Sequence, residues 1–130
     1  QQREELEMGL RHALVRDEFV LHYQPRIDVD SGRLIGLEAL LRWQHPRFGL
    51  LPPARFLSIL ETSGLNIPPA VGIETACRQL VAWQHRFELP DLTIAIKLSS
   101  QQLRDGRLVD TVRNTLADSM LDPGCVEFEV

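Results

Sequence analysis

The stretch that decides the fold is Leu34-Ile35-Gly36-Leu37-Glu38-Ala39-Leu40-Leu41-Arg42-Trp43. On a β-strand, successive side chains alternate between the two faces. Gly36, Glu38, Leu40 and Arg42 then share one face, and Leu37, Ala39 and Leu41 the other. The second face is wholly apolar and suits a core. The first carries a carboxylate and a guanidinium, each about 7 Å along the strand from Leu40. Charges on one face are ordinary where a strand meets water, so the flanking sequence has to say what these two do.

Upstream, Phe19 to Gln24 is β-branched and aromatic and reads as a strand. Pro25 interrupts it, and Ile27 and Val29 extend it as an edge. Asp30-Ser31-Gly32-Arg33 is a turn, so the two strands form a hairpin. Before them, Leu6, Leu10, Ala13 and Leu14 recur at helical spacing. Residues 1–15 are therefore expected as a helical lead-in, and 16–130 as the domain. The charged residues of that helix (Arg3, Glu4, Glu5 and Glu7) are expected to be solvated.

Downstream, His45 to Pro53 is expected as a loop. Pro53 suits the first turn of a helix that stops at Gly64. Val71 to Phe87 reads as one long helix, Leu92 to Leu98 as a strand, and Ser99 to Gly106 as a loop or short helical turn. A third helix carries Leu108, Val112, Leu116 and Met120, and Cys125 to Val130 is a strand. Strand–helix–strand units with short connections imply parallel strands and right-handed crossovers.

Length and composition fit one soluble globular domain with a real core. The net charge of -4 gives no basic footprint for nucleic acid. No apolar run approaches the ~18 residues of a membrane span, and no signal peptide is visible; a cytoplasmic domain is expected. Cys77 and Cys125 read as two reduced, buried thiols. The four histidines have no metal-ligand spacing and read as structural or surface. Trp43 and Trp83 read as core. The sequence opens on Gln1 and closes inside the alternating run Val126–Val130, so a piece of a longer protein is expected.

The alternation rule applies to the later strands as well. Ile94, Ile96 and Leu98 form an apolar face, with Thr93, Ala95 and Lys97 opposite; Val126 and Phe128 face away from Glu127 and Glu129. Glu38, Lys97 and Glu129 thus lie towards the C-terminal ends of their strands. In a parallel α/β barrel those ends line the mouth where chemistry is done.

Here the sequence resembles a known family. YQPRID followed by GLEALLRWQHPRFGLLPPARFL is similar to the opening of EAL domains, the bacterial phosphodiesterases of cyclic di-GMP, whose named tripeptide is Glu38-Ala39-Leu40. ETSGL, ACRQLVAWQ, IAIKLSSQQL and VEFEV follow in the family's order and spacing. The resemblance implies the first half of a modified (β/α)8 TIM-type barrel with an antiparallel first strand. It implies that Glu38 and Glu129 are carboxylate ligands of Mg2+ or Mn2+, hard cations that prefer oxygen. It also implies that Gln24, Leu40 and Arg42 contact the guanine and phosphate groups of the ligand. Two metal ions would activate water and stabilise the transition state.

The chain departs from the family pattern twice. Lys97 stands where the family has an asparagine metal ligand. A protonated lysine offers only donors and a positive charge; it is expected to repel a divalent ion and to pair with Glu38 and Glu129. For Arg42, an ion pair with Glu38 is the structural expectation. The second departure is that the family's Asp-Asp motif and later site residues lie beyond Val130, so no residue here is assigned a catalytic role.

The reading favoured is a catalytically impaired cyclic di-GMP-binding or regulatory module, with weak metal binding or none. Part of an active metal-dependent phosphodiesterase and a protein-interaction module on an EAL scaffold are the alternatives. Four strands fall short of the ~eight of a barrel, and an open sheet face and edge recruit partners. Self-association, or closure by a further domain of the same protein, is therefore expected.

Overall fold

The computed structural model describes residues 2–130. Among the described residues, five α-helices and five strands follow in the order α1 (Gln2–Ala13), β1 (Phe19–Ile27), β2 (Leu34–His45), β3 (Gly49–Leu51), α2 (Pro53–Ser63), α3 (Ala70–Arg86), β4 (Thr93–Lys97), α4 (Ser100–Arg104), α5 (Leu108–Ser119) and β5 (Val126–Glu129). The sheet order is β1-β2-β4-β5, with β3 paired to the far end of β2. β1 runs antiparallel to β2, whereas β2, β4 and β5 are parallel. This is the expected fold class, a mixed α/β sheet that opens on an antiparallel strand and continues by helical crossovers.

The apolar face of β2 organises the core. Leu37 and Ala39 pack with Ile73, Ala76 and Leu80 of α3 and with Ile94 and Ile96 of β4. Further along the same strand, Trp43 lies in a second cluster with Leu6, Leu10 and Ala13 of α1 and Phe56, Ile59 and Leu60 of α2. One strand face therefore anchors two helical layers. The lead-in helix is built into the domain by its three buried residues. Its charged residues are also engaged: Arg3 donates to Thr62 Oγ1 at 2.7 Å, and Glu5 pairs with Arg47 at 2.6 Å.

α2 begins with Pro53 in its first turn and ends at Gly64, where φ is 76°. α3 departs from the single regular helix expected. Val71 and Gly72 are non-helical, and Gly72 has φ 98°, a value that a side chain disfavours. The regular helix follows that kink. His45 to Pro53 is also not simply a loop, because Gly49–Leu51 returns along β2 with Trp43 opposite Leu51. His45 Nδ1 accepts from the backbone N–H of Arg47 and of Phe48 and so shapes the turn. The polar segment after β4 takes the short helical form. Ser99 accepts from the Gln102 N–H while the Gln102 side chain accepts from the Ser99 N–H, a reciprocal cap.

Trp43 is fully buried and Trp83 partly so. Both cysteines are free and buried, and burial pushes the Cys77 thiol up to about 11. Among the described residues, no helix is long and apolar enough to cross a membrane.

Candidate functional site

The face of the sheet turned away from the two cores carries every candidate site residue. Strand register arranges them in rows. Gln24 lies opposite Glu38, Glu38 beside Ala95, and Ala95 beside Glu127. In the next row His22 lies opposite Leu40, and Lys97 beside Glu129. The row before holds Arg26, opposite Gly36, which lies beside Thr93. Glu38 and Glu129 sit in adjacent rows on strands separated only by β4.

Arg26 joins these rows. Its Nη2 lies 2.9 Å from Glu129 Oε2 and 3.6 Å from Glu38 Oε2, and its Nη1 lies 3.4 Å from Glu127 Oε2. It crosses at a place without bulk. Gly36 has no side chain, and a Cβ built there falls 3.9 Å from Arg26 Cδ. Ala95, on the same face between Glu38 and Glu127, is small and buried.

This corrects two expectations. Lys97 was expected to pair with Glu38 and Glu129; Arg26 makes those contacts, and Lys97 is exposed with no carboxylate within 4.0 Å among the described residues. Lys97 is the nearer neighbour of Glu129 in register, yet the long Arg26 side chain reaches across from β1 and takes the contact. An ion pair with Glu38 was the structural alternative for Arg42, beside its expected contact with the ligand. The Arg42 Nη1 donates instead to the Leu41 carbonyl at 2.9 Å. Glu38 and Arg42 are four residues apart on an extended strand, about 14 Å, beyond the span of the two side chains as they lie here.

The two carboxyl groups shift each other. A hydrogen bond shared with Glu129 is the first cause that holds Glu38 above the usual carboxylate range, followed by burial. The same hydrogen bond, with that from Arg26, holds Glu129 below it. The carboxylates thus shift in opposite directions, Glu38 up and Glu129 down. Glu129 Oε1 is buried and has no hydrogen-bond partner.

Above these rows, a cavity of about 310 Å3 opens at the C-terminal ends of β2 and β4. Leu40, Arg42, Pro53, Leu57, Ile67 and Lys97 line it. Its walls are mostly apolar, with Arg42 and Lys97 as the cationic groups. Such a pocket can hold a flat heterocycle beside an anionic group. Gln24 is exposed one row below, opposite Glu38.

The donor set tests the fit of a divalent ion. Mg2+ asks for about six oxygens in near-octahedral geometry. The side chains that converge here supply two carboxylates, Glu38 and Glu129, with a guanidinium between them and an ammonium on the intervening strand. Among the described residues, no group of three or more His, Cys, Asp or Glu side chains is placed to hold a metal ion. These side chains alone supply fewer oxygens than that shell asks for.

Sequence reasoning missed Arg26, although a signal was present. Alternation carried on from Gln24 through Pro25 puts Arg26 on the site face. It also missed Pro53, Leu57 and Ile67, which come to the cavity only through the packing of α2 and the loop after it.

Comparison with known proteins places the chain among relatives. The EAL domain family profile matches residues 8–130. An uncharacterized protein of Synechocystis sp. is 48% identical over 130 residues, covering 99% of this chain and 18% of that protein. The bifunctional diguanylate cyclase/cyclic di-GMP phosphodiesterase MucR of Pseudomonas aeruginosa is 41% identical, covering 100% of this chain and 19% of that protein. The chain therefore spans about a fifth of the length of these relatives. Among solved structures, the PaMucR phosphodiesterase in complex with c-di-GMP superposes with a TM-score of 0.86 at 42% identity, covering 97% of this chain and 51% of that one.

Proposed function

The chain belongs to the EAL-domain family, and from that premise we propose that it supplies the opening half of a cyclic di-GMP site in which nucleotide binding persists and divalent-metal binding is weakened. The observation that carries this is the contrast between two parts of one sheet face. Leu40 and Arg42 border an open, largely apolar cavity. Below it, the carboxylate pair is bound by a guanidinium and flanked by Lys97.

In this reading the cavity takes a guanine ring against Leu40 and Leu57. Arg42 turns its free guanidinium edge to a phosphate oxygen, for which its planar donors are suited. Gln24 contributes donors and an acceptor from β1. Lys97 offers donors only. Its charge favours the phosphates of the ligand and opposes a divalent ion.

Exchange of Lys97 for Asn tests the proposal. A unit charge about 5 Å from a divalent ion costs roughly 1.7 kcal/mol even with the screening of bulk water. Lys97→Asn in the full-length protein is therefore expected to tighten Mn2+ binding by at least about tenfold, read by calorimetric titration. Tight Mn2+ binding by the unmutated protein, unchanged in the variant, would contradict it. The alternative, part of an active phosphodiesterase, is favoured by one specific feature: the unpartnered Oε1 of Glu129. On that alternative, the unmutated protein hydrolyses cyclic di-GMP in a metal-dependent manner.

A further inference from the structure

We propose that Arg26 is a positioning residue that serves as the resident counter-cation of the carboxylate pair and competes with a divalent ion for Glu38 and Glu129. The inference rests on the reading of those two residues as the metal carboxylates, and it adds a group that the reading of Lys97 does not contain.

One nitrogen, Nη2, lies on the Oε2 atoms of both Glu38 and Glu129, at 3.6 and 2.9 Å. A divalent ion held by the pair needs oxygens at about 2.0–2.6 Å, and these two are already turned to the guanidinium. A guanidinium has five donors, no acceptor and a permanent charge, so it cannot share the site as a ligand. It can only leave or repel. The way out is present. The Arg26 side chain is 39% exposed, and its other terminal nitrogen, Nη1, lies 3.4 Å from Glu127, whose side chain is 66% exposed. Glu127 sits on the outer side of the pair and can retain the guanidinium as it swings off Glu38 and Glu129. The stem passes over Gly36, where even an added Cβ would lie at ordinary contact distance, 3.9 Å from Cδ. Arg26 thus has an inner anchor and an outer one, and only the inner one excludes the ion. Lys97 acts differently: it makes no ion pair within 4.0 Å among the described residues and opposes the ion through space alone.

Manganese titration of the full-length protein without nucleotide, followed by the electron paramagnetic resonance of free Mn2+, tests this. Arg26→Gln removes the charge and keeps polar bulk; it is expected to tighten Mn2+ binding on the order of tenfold or more, from the charge–ion repulsion at about 5 Å. Arg26→Lys keeps a cation and is expected to stay near the unmutated affinity, which a merely structural role of the arginine would not produce. Circular dichroism melts check that the variants fold. Arg26→Gln with unmutated affinity overturns the inference. If Lys97→Asn tightens binding and Arg26→Gln does not, the inference fails and the reading of Lys97 stands; the reverse result supports the inference and removes Lys97. If no variant binds Mn2+ at millimolar concentration, the reading of Glu38 and Glu129 fails and the inference with it. Should Arg26→Gln not fold, the arginine side-chain 15N resonances of the unmutated protein give the answer. Displacement of the Arg26 signal at saturating Mg2+ supports competition, and an Arg26 signal that holds its place under Mg2+ overturns it.

Discussion

Gly36→Ala perturbs the sheet directly beneath the site, and the structure allows its cost to be worked out. A Cβ on residue 36 falls 2.7 Å from Thr93 Oγ1 and 3.4 Å from the Thr93 carbonyl oxygen. The first distance is shorter than real contacts allow, so the Thr93 side chain must rotate. Rotation breaks its hydrogen bond to the Ile35 carbonyl, 3.3 Å long and exposed, worth at most about 0.5–1.5 kcal/mol. Overpacking adds about 1–3 kcal/mol. The exchange of Gly for Ala returns about 0.4–1 kcal/mol by restricting the unfolded chain. The threonine is a side chain able to yield, which favours the low end, so the net loss is about 1–2 kcal/mol. In a Thr93→Ala background the clash is gone, and the same exchange becomes neutral or stabilising by up to about 1 kcal/mol. The double-mutant cycle then shows a coupling of about 1–3 kcal/mol. Urea unfolding followed by tryptophan fluorescence measures all four proteins. Additive effects, or a Gly36→Ala protein as stable as the parent, would refute the packing of β2 against β4 described above.

Two further outcomes follow from the same geometry. Arg42→Ala removes a charged donor from the cavity and is expected to weaken cyclic di-GMP binding by about 1.5–3 kcal/mol, measured by calorimetry; equal affinity would make Arg42 a structural residue only. Asp105 accepts from Arg107 Nη2 at 2.7 Å, from Arg107 Nε and its backbone N–H, and from Asn66 Nδ2. Arg107 is the main cause that lowers the carboxyl from 3.8 to about 2. A carboxyl held lower in the folded state contributes stability above its unfolded value and loses it as pH falls through the folded one. The stability difference between the protein and Asp105→Asn should therefore be constant above about pH 5 and shrink from about pH 4 to pH 2, and a difference flat across that range in urea titrations would contradict the assignment.

How much of this was legible in the sequence depends on the length scale of each signal. The hairpin, the parallel strands and the two faces of β2 follow from a period of two sustained over many residues, as in Leu37, Glu38, Ala39 and Leu40. The bounds of α2 were written in Pro53 and Gly64, whose backbone preferences are local. β3 was not legible, because the three residues Gly49–Leu51 are too few to carry a period; Trp43 and Leu51 are cross-strand neighbours within the second core, a tertiary contact. The kink at Gly72 was hidden inside an apolar helical pattern that continues past it. At the site, faces were legible and partners were not. Alternation puts Glu38, Lys97 and Glu129 on one side of the sheet, but which cation reaches the carboxylates depends on side-chain length. Arg26 takes those contacts, and Lys97 lies at the cavity.

The central claim is that this site binds the dinucleotide without a divalent ion. Calorimetric titration of cyclic di-GMP into the full-length protein in excess chelator tests it most directly. Saturable binding in the chelator is expected, with little change when Mn2+ is supplied and with the nucleotide recovered intact. Binding that vanishes in the chelator and returns with Mn2+, accompanied by linear product, would contradict it.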